Sequence, residues 1–118
     1  MLAAPDQLGT KARAAIQAIE AGRAQGFLPA AAVAEIVMLR GLGRTDVGLP
    51  ELRGAIGACP RLRFLALDLE QLDEFAALGA LRDPFDRLIV AATRQQRARL
   101  LSRDGAVAGS GLVETVWS

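Results

Sequence analysis

LRDPFDRLIVAATRQQ, residues 81–96, sets Asp83 and Asp86 three positions apart ahead of an apolar run that then turns basic. Pro84 suits the first position of a helix, where its missing N–H has no partner to lose, so Asp83 is the expected N-cap. Asp86 then falls at the third helical position, where the helix dipole favours a carboxylate by roughly 0.3–1 kcal/mol. This accounts for Asp83 but not fully for Asp86. Asp86 also begins the ridge that continues through Ile89, Val90 and Thr93, on the core side of a helix expected over residues 84–98. Its role depends on which other carboxylates reach it.

Working outward from that helix, "ARLLSRD" and "GLVETVW" read as strands separated by a glycine-rich turn over Gly105 to Gly111. Upstream, Asp68 caps a helix in "LEQLDEFAALG" closed by Gly79, and it follows a strand over residues 62–68, "LRFLALD". Leu49 to Ala58 makes a short helix opened near Pro50. "AAAVAEIVMLRGLGR" is a helix apolar almost all round, ended by Gly41 and Gly43, and such a helix is expected to be buried. "GFLPA" before it is a short strand, and Thr10 is the expected cap of the helix in "KARAAIQAIEAGR", which ends at Gly22. Strands alternating with helices predict an α/β sandwich with a mainly parallel sheet, and the whole chain, residues 1–118, reads as a single domain.

Bulk composition narrows the chemistry. The chain has 118 residues, is 52% hydrophobic and carries a net charge of +1 from 14 basic and 13 acidic residues, so it can bury a core but presents no global basic field. Basic residues are arginine except for Lys11, and Arg82, Arg87, Arg94, Arg97, Arg99 and Arg103 lie close together in sequence. They read either as a solvated helix face or as a fork-shaped set suited to phosphate. With no histidine, a His-based triad and the usual zinc sites are excluded, and Cys59 is a small hydrophobe rather than a nucleophile. No secretory signal or membrane-length apolar run is visible, so a cytoplasmic location away from membranes is expected.

Two further acids stand in apolar settings. Glu35 has Ala31, Ala32, Met38 and Leu39 as its helical neighbours, so its carboxylate needs a cation, whether Arg40, Arg44 or a metal, or a role as general base. Asp104 follows the apolar "RLLS" at the carboxyl end of an expected parallel strand, where ligands of open α/β sheets collect. The alternative for Asp104 is a plain Asp-Gly turn. An acid on a buried helix, one at a helix start and one after a strand are placed to converge at a single sheet edge.

These stretches resemble the PIN domains, and in particular the VapC-type toxin ribonucleases of bacterial toxin–antitoxin pairs. "RDPFDRLIVAAT" is similar to the family helix that carries its third acid, "AAAVAEIVMLRGLGR" to that carrying its second, "LLSRDGAV" to the strand end carrying its fourth, and "VETVW" to its closing strand. The resemblance implies a three-layer sandwich, an endoribonuclease acting on RNA phosphodiesters, and Mg²⁺ or Mn²⁺ held by Glu35, Asp86 and Asp104. It implies Arg87 and Arg103 on the RNA phosphates, a cognate antitoxin as partner and a homodimer. Two features depart from the family. Its opening apolar strand, which ends in the first acid and lies mid-sheet between the "GFLPA" and "RLLS" strands, has no counterpart, and residues 1–8 read as the loop before the second family helix. Pro29 stands where the family usually has serine.

The domain is therefore expected to be N-terminally incomplete, with two apolar strand edges left unpaired and a weakened metal site. A competing expectation is a catalytically impaired scaffold that binds a partner or dimerises. A third is an unrelated α/β domain in which all three acids are caps and ion-pair partners.

Overall fold

A computed structural model of the protein describes residues 9–118. The loop expected over residues 1–8 lies outside them. The order is α1 (Thr10–Glu20), β1 (Gly26–Pro29), α2 (Ala30–Gly41), α3 (Leu49–Ala58), β2 (Leu62–Leu65), α4 (Leu69–Ala77), α5 (Pro84–Gln95), β3 (Leu100–Leu101), α6 (Gly105–Gly109) and β4 (Thr115–Val116). The class is mixed α/β with short parallel strands. Instead of the one expected sheet, the described strands form two parallel pairs. β1 runs beside β2 with Gly26 opposite Leu62, and β3 runs beside β4 with Leu100 opposite Thr115. Each pair needs a crossover, supplied by α2 and α3 in the first and by α6 in the second.

α5 lies at the centre because its inner face is small and apolar. Val90, Ala91 and Ala92 are buried on it, and Leu78, Leu81 and Val107 close around Val90 and Ala91 with Phe75 and Leu100 at the margin. α4 and α2 both pack against this helix. The expectation that α2 is buried all round does not hold. Ala31 is buried, but Val37 and Met38 are 41% and 53% exposed, because α2 meets β1, α3 and α5 and leaves its remaining surface open.

Three helices end in the same way. After α1 and α2, Gly22 and Gly43 adopt left-handed backbone, with Arg23 N–H donating to Ala18 O and Arg44 N–H to Leu39 O. Gly41, by contrast, belongs to the last turn of α2. α5 stops at Gln95, short of the expected residue 98, because Arg97 takes the left-handed position (φ 50°) and the Ala98 N–H returns to Thr93 O at 3.1 Å.

α1 starts differently from expectation. Gly9, not Thr10, is its N-cap, and no side chain caps it. The orphan N–H of Ala12 is satisfied instead by the Trp117 carbonyl at 2.9 Å. Gly9 has to be glycine for this to happen, since a Cβ there would lie 2.0 Å from the Trp117 oxygen.

One polar group is buried with the core. The Gln71 side-chain amide, 2% exposed, donates to Ala66 O and to Gln95 Oε1, each at 2.9 Å. Asp68 caps α4 through the Gln71 N–H at 2.8 Å and accepts from the Gln95 amide at 2.9 Å. Both bonds hold the Asp68 carboxyl below the usual aspartate range, the backbone bond contributing most.

Gly9→Ala is expected to destabilise the protein by about 1–3 kcal/mol through overpacking against Trp117, read as a lower urea midpoint at unchanged slope. Arg97→Gly is expected to raise stability by about 1 kcal/mol, because glycine enters left-handed backbone without a Cβ penalty. An unchanged midpoint in either variant would contradict the backbone geometry described for that site.

Candidate carboxylate site

Four acids reach one neighbourhood from three places in the fold. Asp83 caps α5, its Oδ1 accepting from the N–H groups of Phe85 and Asp86 at 2.9 and 3.0 Å. Asp86, partly buried one turn in, belongs to α5. Glu35 sits midway along α2, also partly buried. Asp104 follows β3, and its Oδ1 accepts from Ala106 and Val107 N–H at 2.8 and 3.3 Å. Asp104 therefore caps a short helix, α6, where a glycine-rich turn was expected, because its side chain stabilises the start of the helix.

The electrostatics bring the group together. The Glu35 carboxyl is pushed above the ordinary value of 4.5, mainly by burial and then by the negative charges of Asp86, Asp83 and Asp104. Asp86 is raised for the same reasons, burial first, then Asp83 and Asp104. Among the described residues no ion pair offsets this at Glu35. Arg40, a candidate partner for Glu35, instead reaches Asp46 at 4.0 Å across open solvent. Among the described residues, Glu35 has no ion pair, so an assignment of all three acids to caps and salt bridges fails at this residue.

The donor set is made of carboxylate oxygens, which suit a hard divalent cation. Their spacing is more open than such an ion needs. Among the described residues, no group of three or more His, Cys, Asp or Glu side chains is close enough to hold a metal.

Of the two arginines implied as phosphate ligands, Arg87 is occupied within the protein. Its Nη2 donates to Phe75 O at 2.6 Å, and the guanidinium lies 4.0 Å over the Phe75 ring, which ties α5 to α4. Its buried Nε has no hydrogen-bond partner among the described residues. Arg103 is exposed beside Asp104.

Between β1 and β3 lies a groove of about 570 Å³ that Glu35 also lines. Leu28, Ile89 and Leu101 contribute to its apolar wall, and Arg97 and Arg99 lie along it, just ahead of β3. Sequence reading gave this groove only as two unpaired edges. It counted Arg97 and Arg99 with a basic cluster, although their place between a helix end and a strand was a sign of a separate position. Cys59 is semi-buried with its Sγ 4.0 Å from Ile19 O, as a small hydrophobe would be. The described residues contain no helix long and apolar enough to cross a membrane. No family model matches the chain, and no curated protein matches it.

The raised carboxyls set the sign of a pH effect. Glu35 in the folded state holds its proton more tightly than in the unfolded chain, so its contribution is fully present below pH 4.5 and lost as pH rises through its folded value. Glu35→Gln is therefore expected to melt higher than the parent at pH 7, and the difference should close as the solution is acidified below that value. A difference independent of pH would remove the electrostatic explanation.

Proposed function

We propose that the protein is a PIN-type ribonuclease of the VapC-like toxin class, with Glu35, Asp86 and Asp104 as its divalent cation site. The observation that carries this reading is the proximity of Glu35 to the charges of Asp86, Asp83 and Asp104, with no ion pair for Glu35 among the described residues. Acids placed in this way disfavour one another's charged forms, and a bound cation would offset that cost. The open space between β1 and β3, where the family has its first strand, supports the same reading.

Bound Mg²⁺ or Mn²⁺ would supply Lewis-acid stabilisation and a water of lowered pKa. Glu35 and Asp86 would hold the ion between α2 and α5, and Asp104 would contribute the carboxylate oxygen that its cap leaves over. Arg103 would meet the RNA backbone, and Arg87 would position the start of α5 through Phe75 rather than touch phosphate. A cytoplasmic antitoxin and a homodimer complete this reading.

A second reading, a PIN scaffold with impaired catalysis that acts by protein interaction, is favoured by the open spacing of the acids and by exposed apolar side chains. Met38, Leu42, Phe64 and Leu69 are 53%, 68%, 49% and 79% exposed.

The two are separated by titrating Mn²⁺ or Mg²⁺ into the protein while following thermal unfolding and cleavage of a labelled RNA. The nuclease reading expects stabilisation of about 2.7 kcal/mol at a hundredfold excess over Kd, lost in Asp86→Asn. It also expects cleavage to disappear in Glu35→Gln, Asp86→Asn and Asp104→Asn, the last of which keeps the cap of α6. Absence of any cation-dependent stabilisation, with a concentration-dependent dimer, would transfer the assignment to the scaffold.

A further inference from the structure

β1 and β3 each have one bonded edge and one open edge. Gly26 N–H donates to Arg61 O at 2.8 Å on the β2 side, and because successive residues of a strand aim their backbone groups to opposite sides, Phe27 aims its own away from β2. Leu100 and Ser102 donate toward β4, to Glu114 O and Val116 O at 2.9 and 3.3 Å, so Leu101 aims away from β4. β1 and β3 are not paired to each other among the described strands, and the groove of about 570 Å³ lies between them. Both strands point their carboxyl ends toward the same group of acids. The carboxyl end of β1 leads through α2 to Glu35 and that of β3 leads to Asp104, and these two acids share one electrostatic neighbourhood.

Helices limit what can enter. Ala15 and Ala18 of α1, Ala32 of α2 and Ile89 of α5 all line the space, so helices flank it as well as the two strand edges. The walls are apolar along β1 and β3, and Arg97 and Arg99 line the groove just ahead of β3 with no ion pair among the described residues.

We infer that the groove receives one extended segment of another polypeptide, apolar over the four residues that β1 spans and acidic at its amino-terminal flank. It lies parallel to both edges and bonds to each, joining the two pairs into one sheet by strand addition. The acidic flank is set by Arg97 and Arg99, and the apolar character by the walls. The inference uses the open edges and the groove and does not depend on the nuclease reading.

The test uses the full chain and a fluorescein-labelled synthetic peptide, Asp-Glu-Val-Val-Leu-Val-Gly, followed by fluorescence anisotropy. Saturable binding is expected. N-methylation of two alternate inner residues should weaken it by about tenfold per lost bond. Ala18→Phe, which fills the groove, should weaken it as well. Arg97→Gly is the most informative variant, since it should fold at least as stably as the parent and yet bind the peptide several-fold less tightly. A peptide with lysines in place of the two acids should also bind less tightly. Equal affinity of the N-methylated peptide would overturn strand addition, and equal affinity of Arg97→Gly would overturn the acidic flank. Absence of saturable binding, or a dimer in sedimentation that the peptide does not dissociate, would overturn the proposal and assign the groove to another occupant.

Discussion

The packing of Val90, Ala91 and Ala92 on the inner face of α5 positions both halves of the molecule. α4 and α6 close around that face, and α2 meets the same helix and carries β1 with it. Small side chains allow the close approach, and a methylene added here would be felt throughout. Because the two described strand pairs do not bond to each other, α5, packed on α2 and leading into β3, links them. The helix lines the groove from Ile89 to Thr93. Its start carries Asp83 and Asp86, and its end turns the chain through Arg97 into β3.

This arrangement places a cost and its relief in the same region. Two carboxyls, Glu35 and Asp86, are partly removed from water and lie near other acids, so the folded state disfavours their charged forms. Burial contributes most, which means that the surrounding apolar residues of α2 and α5 amplify the repulsion. A proton on either carboxyl relieves that cost, which links the stability of the fold to pH.

The parts of the structure legible in the sequence were those governed by local chemistry. Asp83 followed by Pro84, Asp68 ahead of an amphipathic run, and Gly22 and Gly43 after apolar helices each determine a helix end through bonds that span only a few residues. The order of strands and helices suggested that Glu35, Asp86 and Asp104 meet at one sheet edge; the acids do influence one another electrostatically, but among the described residues they are not gathered closely enough to hold a metal. What sequence did not reveal depends on long-range contacts. The cap of α1 is a backbone carbonyl from Trp117, more than a hundred residues away, and Arg87 settles on Phe75 of a different helix. The exposure of α2 had the same origin. Its composition describes a buried helix, but burial requires neighbours on every side, and here they occur on only part of its surface.

Gln71 is one of the two largest fully buried side chains, the other being Val90. Apolar groups can slide past one another at modest cost, because the hydrophobic effect has little directional preference. An amide cannot. Both donors of Gln71 find acceptors only when the turn at Ala66 and the end of α5 at Gln95 arrive together, and Gln95 is itself oriented by Asp68. A docking of α4 displaced by one helical turn would retain most of its apolar burial but leave that amide without partners in a dry interior. The hydrogen-bonded trio thus works as an alignment key for the α4–α5 seam, and it fixes the height of α5 and with it where Asp86 stands.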